Sequence, residues 1–137
     1  MVDDVILNKS ATIERCIHRI QEEYIGSEHL LETNFTKQDA IVLNIQRACE
    51  AALDIATHIV RIKQLGLPQT SREVFALLAT HNIIPVELAE TLQKMIGFRN
   101  IAVHDYTNIN LAIIRKIITL HLKELQLFCQ ILITASD

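Results

Sequence analysis

Residues 37–65 read KQDAIVLNIQRACEAALDIATHIVRIKQL, a stretch of 29 without Gly or Pro. Ile41, Ile45, Ala48, Cys49, Ala52, Ile55, Ala56 and Ile59 recur at steps of three and four. That is the spacing of one face of an α-helix, so this face is expected to be buried. Thr36 stands where an N-cap is needed, and Asp39 places a negative charge in the first turn. Gly66 and then Pro68 stop the helix at its other end. A helix this long exceeds the usual three or four turns and needs partners along most of its length.

The partners lie on both sides. The stripe Ile6, Ile13, Ile17, Ile20 and Tyr24 predicts a first helix over 4–24 that ends at Gly26. After the long helix, Ser71 caps a short one carrying Val74, Phe75, Leu77 and Leu78 and ending near Asn82. Pro85 suits the first position of a fourth helix running to about Val103. A polar turn over 105–110 leads to a last helix over about 111–133. Its apolar face is Leu111, Ile114, Ile118, Leu122, Leu125, Cys129 and Leu132. Ile113, Ile117, Leu120, Leu127 and Ile131 extend that face around the back. One buried stripe is enough for a surface helix, so this helix is either central to a small bundle or also part of a subunit interface. The expected fold is all-α, an up-and-down bundle of four longer helices plus a short accessory helix, as one domain over 1–137.

Composition agrees. Three Gly and two Pro, where an average chain of this length carries roughly 16 of the two together, leave few turns for a many-stranded sheet. The apolar half of the chain excludes disorder. A net charge of −3 gives no general surface for polyanions, so any nucleic-acid site must be local. Cys16, Cys49 and Cys129 are odd in number and lack CxxC spacing, as expected of small apolar residues in a reducing compartment. Asp3 and Asp4 occupy positions where a secretory signal wants positive charge. No uninterrupted apolar run approaches the ~18 residues of a membrane span. A cytoplasmic location without membrane contact is the expectation.

The chemistry concentrates in RNIAVHDY, residues 99–106. On the fourth helix Leu88, Leu92, Met95, Ile96, Ala102 and Val103 share an apolar arc, and Arg99 falls near its middle. A guanidinium keeps its charge, so it must meet either a buried carboxylate or an anion. His104, five residues on, points about 140° away on a regular helix, whereas Asn100 and His104 share a face. Asn100 is therefore placed to bond the imidazole or a bound phosphate. The Tyr106 hydroxyl is either accessible or packed over the helix end. On the long helix Arg47, Glu50, Asp54, His58 and Arg61 share a polar face. Asp54 and His58 stand at i, i+4, without the closer His and Cys clusters of a metal site. No phosphate-binding loop, dinucleotide turn or Ser–His–Asp order occurs.

Arg-x-x-x-x-His-x-Tyr, with the Asn after Arg and the run LNIQRACEAALDIATHI over 43–59, resembles the HEPN superfamily over nearly the whole chain. The HepT branch, toxins of minimal-nucleotidyltransferase/HEPN modules, is the most similar. The resemblance implies a metal-independent endoribonuclease acting as a homodimer, with Arg99 and His104 of both protomers in one cleft. Asn100 and Asp105 then support the site, no cofactor or metal is required, and RNA is the substrate. It further implies a nucleotidyltransferase antitoxin that attaches AMP to Tyr106. The polar face of the long helix then lines the RNA cleft, gives Arg99 a carboxylate, or is a solvated, self-paired surface. The chemistry agrees: metal-free cleavage needs a base, an acid and a cation on the phosphorane, and one chain offers a single motif His. The rival reading is a non-catalytic helical subunit of a nucleotidyltransferase that holds a nucleotide or phosphate.

Overall fold

A computed structural model describes residues 3–135. They form five helices in chain order and no strand: α1 (Asp4–Tyr24), α2 (Phe35–Ile62), α3 (Ser71–Thr80), α4 (Val86–His104) and α5 (Leu111–Ala135). Ion pairs report how they run. Lys9 pairs with Asp54 at 3.0 Å and Lys37 with Glu23 at 3.2 Å, so α1 and α2 are antiparallel. Arg115 bonds the Tyr24 hydroxyl, and Gln126 reaches Glu14 at 3.4 Å, which sets α5 antiparallel to α1. The fold is the expected bundle of α1, α2, α4 and α5, with α3 as the accessory helix against α2 and α4.

The eight predicted α2 positions are all buried, as are the five of α1. Phe75 of α3 and Phe128 of α5, neither with any exposed surface, meet edge to face with centroids 6.0 Å apart. The three cysteines are free and buried. Burial pushes the Cys49 thiol up to about 12, and its Sγ–H donates to the Met95 carbonyl at 3.7 Å.

Helix ends differ from the expectation by a few residues, each for a local reason. Asn34, not Thr36, caps α2, its side chain accepting the Lys37 N–H at 3.0 Å. Thr70, not Ser71, caps α3 by accepting from Glu73 N–H at 3.2 Å. Glu73 reaches back to the Gln69 N–H at 2.6 Å, a variant of the capping box. Pro85 is the cap of α4 and not its first residue. The α2 helix stops at Ile62, short of Leu65 and Gly66. The Leu65 N–H donates to the Val60 carbonyl and Gln64 N–H to Arg61, a Schellman closure with Gln64 left-handed at φ 52°. Asn82 does the same after α3 at φ 60°. A sequence reader looks for glycine at such positions; only Gly26, at φ 82°, meets that expectation in a helix-ending turn.

The largest correction is inside α5. Ile117–His121 is π-helical, which delays the turn and rotates everything after it relative to a regular wheel. Ile117, expected on the back, is 2% exposed and belongs to the core, whereas Ile118 is only partly buried. Ile117 and Leu122, five apart, both face inward. Ile113, Leu120 and Leu127 remain on the outside, 43%, 54% and 45% exposed. By length and composition α5 is the one helix among the described residues that passes as a bilayer span. Arg115, Lys116, Lys123 and Glu124 interrupt it, and its buried side chains pack against the rest of the bundle.

Candidate active site

Arg99 continues the row Leu88, Leu92, Met95 along α4, and that row faces α2. Leu88, Leu92, Met95, Ile96 and Ala102 are buried as expected, while Val103, in the last turn of α4, is 42% exposed. Arg99 meets Glu50 of α2: Nε and Nη2 donate to Glu50 Oε1 at 3.2 and 3.0 Å. Gln46 Nε2 donates to the same oxygen at 3.3 Å, and Arg99 Nη1 donates to Asn100 Oδ1 at 2.9 Å. The carboxylate is partly exposed and not buried, its side chain 41% accessible against 29% for Arg99. A guanidinium has five N–H donors. Three are engaged here, leaving one on each terminal nitrogen to meet a ligand from solvent.

His104 is the last residue of α4 and is exposed. Since α4 stays helical through it, Arg99 and His104 of one chain diverge by about 140°. Asn100, placed by its spacing to bond the imidazole or a bound phosphate, makes no bond to His104, and its Oδ1 accepts from Arg99. The imidazole makes no hydrogen bond or ion pair among the described residues. Asp105 ends the helix and turns inward on its own loop, accepting from Thr107 Oγ1 at 3.0 Å and from Asn108 Nδ2. That makes it a turn-former.

Tyr106 begins a single 3₁₀ turn, Tyr106–Asn108, and the residue is 42% exposed. Its hydroxyl donates to Asp39 Oδ1 in the first turns of α2. Partial burial, and then this carboxylate, raise the phenol to about 12. Both sequence alternatives for the hydroxyl therefore hold together: it lies over a helix end and is reachable. Asp39 was expected only as a charge for the helix dipole. Asp39 and Glu50 are eleven residues apart, three turns of α2, and fall on one side of it. Arg99 lies on the antiparallel α4, and Tyr106 in the 3₁₀ turn just beyond its end. The pairing is visible in the sequence only to a reader who already knows that α4 lies on that side of α2.

The remaining polar face of α2 is divided among its neighbours. Asp54 pairs with Lys9, and His58 bonds Asp3 Oδ2 at 2.8 Å and Arg61 at 3.4 Å, so Asp54 and His58 do not pair with each other. Arg115 is not free to meet a phosphate near Tyr106. It is held by Glu32, the Glu28 carbonyl and the Tyr24 hydroxyl, 6.0 Å over the Tyr24 ring. Among the described residues no three His, Cys, Asp or Glu gather as metal ligands.

An arginine aimed outward by a carboxylate and a solvent-facing histidine at the end of the same helix match the motif of the resemblance. The family described as Ribonuclease HepT-like covers residues 13–132. The chain belongs to the HepT-like ribonuclease family. It is 49% identical over 131 residues to the mRNA nuclease HepT of Shewanella oneidensis, covering 96% of this chain and 98% of that one. A tRNA nuclease HepT of Aphanizomenon flos-aquae is 35% identical over 66 residues, 48% of this chain and 45% of that one. The solved tri-AMPylated Shewanella oneidensis HEPN toxin, in complex with its MNT antitoxin, superposes with a TM-score of 0.89 at 49% identity, covering 94% and 96% of the two chains. A toxin–antitoxin structure with AMP-PNP gives 0.90 at 48% identity over 95% and 98%. HepT membership makes the chain an endoribonuclease of the toxin–antitoxin class.

Proposed function

We propose that Arg99 and His104 cleave RNA in a cleft built by two copies of this chain, without a metal ion. The observation that carries the reading is the divergence of the two side chains on α4, together with an unpartnered, exposed imidazole. One chain presents one proton carrier and a guanidinium pointing elsewhere; a two-fold axis near the end of α4 supplies the second histidine. One His104 takes the proton of a 2′-hydroxyl, whose oxygen attacks the phosphorus. The bond to the 5′ oxygen breaks, and the other His104 returns a proton to that oxygen. Products are a 2′,3′-cyclic phosphate and a 5′-hydroxyl. The two remaining N–H groups of Arg99 meet the developing negative charge on the phosphorane. Glu50 and Asn100 act as positioning residues that aim the fork. The exposed Ile113, Leu120 and Leu127 of α5 supply apolar surface for the homodimer.

The cytoplasm holds both the RNA and the partner, a nucleotidyltransferase antitoxin of the kind bound to the structural relatives. Its target is the Tyr106 hydroxyl. Attack of that oxygen on the α-phosphorus of ATP forms the tyrosyl–AMP bond and expels pyrophosphate, with Asp39 placed to take the phenol proton. The added phosphodiester is anionic and is repelled from Asp39, which turns the adenylyl group toward the Arg99 end of α4. Occlusion then exceeds charge repulsion, worth only about 1 kcal/mol between exposed charges in water.

The test is RNA integrity and growth on expression of wild type, His104→Ala and Arg99→Ala without the partner, followed by cleavage with purified protein in EDTA. Wild type alone should cleave and arrest growth. Equal harmlessness of all three would favour a nucleotide-holding subunit over a nuclease.

A further inference from the structure

Beside Glu50, where the polar face of α2 turns toward α1, a groove of 530 Å³ runs between α1 and α2. Thr12, Arg15 and Arg19 line it from α1; Leu43, Asn44 and Arg47 line it from α2. In a chain of net charge −3, three guanidiniums in one groove are a local reversal of sign. Arg19 is neutralised by Glu23 at 3.2 Å and Glu22 at 3.6 Å. Arg15 donates only to the Thr12 hydroxyl, at 3.2 Å. Arg47 is exposed and has no hydrogen bond or ion pair among the described residues. The floor is polar too: Asn44, 8% exposed, is held by its amide on the Ala40 carbonyl at 2.8 Å.

The register joins this groove to the site. With Lys9 opposite Asp54 and Lys37 opposite Glu23, Arg15 lies across from Arg47. One turn further along α2 is Glu50, which holds Arg99. Arg15, Arg47 and Arg99 thus lie within about one helical turn of one another along the bundle, across α1, α2 and α4.

We infer that the α1–α2 groove binds the phosphodiester backbone of the same single-stranded RNA that Arg99 and His104 cleave, outside the scissile position, with Arg15 and Arg47 as its phosphate contacts. This rests on the ribonuclease reading. The other cation-lined groove, 410 Å³ between α4 and α5, has Arg72, Lys94 and Lys116 around an apolar floor of Met95, Phe98 and Ile117. That floor suits a protein surface; the α1–α2 groove, with a buried amide and two guanidiniums that no carboxylate neutralises, suits phosphates.

The test uses the full chain carrying His104→Ala, so that RNA stays intact, and a labelled 20-nucleotide single strand read by fluorescence anisotropy over a salt series. Arg15→Ala/Arg47→Ala should weaken binding about tenfold at low salt. It should lower the slope of log affinity against log salt by about 1.4, since each single-strand phosphate contact contributes roughly 0.7. Arg15→Lys/Arg47→Lys, which keeps the charge, should restore the slope. Arg72→Ala/Lys94→Ala removes the same charge elsewhere and should change neither quantity comparably. Unchanged affinity in the first pair, an equal loss in the control pair, or lost antitoxin binding with RNA binding intact would each overturn the assignment. Cleavage by the wild-type chain, measured in parallel, reports separately on the ribonuclease reading.

Discussion

Arg99 is the residue on which sequence and structure bear most directly. A leucine is expected at its place on the α4 arc, and the physical question was what meets its charge. Glu50 answers by taking two of its donors on one oxygen. A partly exposed pair of this kind contributes only about 0–1 kcal/mol to folding, so its value lies in orientation. Arg99→Lys should be as inactive as Arg99→Ala, because an ammonium cannot hold Glu50 and a phosphate in one plane. Loss of Arg99 should cost about 10²–10³ in kcat. Glu50→Gln keeps an acceptor and should retain most activity, whereas Glu50→Ala should lose about tenfold; equal losses in the two would show that Glu50 does not aim the fork. Tyr106 makes the second residue-scale prediction. The Asp39 carboxylate disfavours the phenolate, so Asp39→Asn should bring the phenol down from about 12 toward its ordinary value of 10.0. A ¹³C-tyrosine titration, with the signal assigned by its absence in Tyr106→Phe, reads this. An unmoved midpoint would leave burial as the only cause. Tyr106→Phe should itself stay toxic and gain no AMP mass on incubation with ATP, Mg²⁺ and the partner; equal gain would move the modification to another residue.

At the scale of elements, most of the fold was legible. The 3.6-residue periodicity of α1 and α2 identified core positions that are all buried, because those helices are regular from cap to cap. The reading failed where the backbone departs from the period. Gln64 and Asn82 take left-handed turns without glycine, so the end of α2 was misplaced. The π-helical turn moved Ile117 from the back of α5 into the core, and no residue type announces such a turn. The site was legible as types and spacing, but its partners were not. Asp39 reads only as a charge for the helix dipole, and Glu50 as one of several polar-face residues able to give Arg99 a carboxylate; which carboxylate meets which partner appears only when α4 is laid against α2. Two neighbouring residues now test α5. Phe128→Ala empties a fully buried site and should cost about 3–5 kcal/mol in denaturant unfolding. Leu127→Asp, one residue away on the outer face, should leave the melting temperature nearly unchanged while converting dimer to monomer and abolishing cleavage. A monomeric Leu127→Asp that still cuts RNA would refute the shared cleft. A charge at Ile117 is uninformative about the dimer, since it breaks the core.

Over the whole molecule, the end where α1, α2 and α5 meet is tied by carboxylates. Lys37 holds the Glu23 carboxyl below its usual range, the Gly26 N–H does so for Glu28, and Arg115 for Glu32; at the far end His58 lowers Asp3. For a lowered carboxyl the stabilisation is complete above its unfolded value and is lost as pH falls through the folded one. The melting temperature should therefore fall steadily below about pH 4.5, and Glu32→Gln should flatten part of that fall. Cleavage by the proposed route requires the Arg99 and His104 side chains of a folded dimer. The most direct measurement is cleavage of a defined single-stranded RNA by purified wild type and His104→Ala dimers in EDTA, with product ends identified by mass. Wild type should yield 2′,3′-cyclic phosphate and 5′-hydroxyl ends, and His104→Ala should be slower by at least about 10²-fold. The same rate and the same ends from the His104→Ala dimer would contradict it.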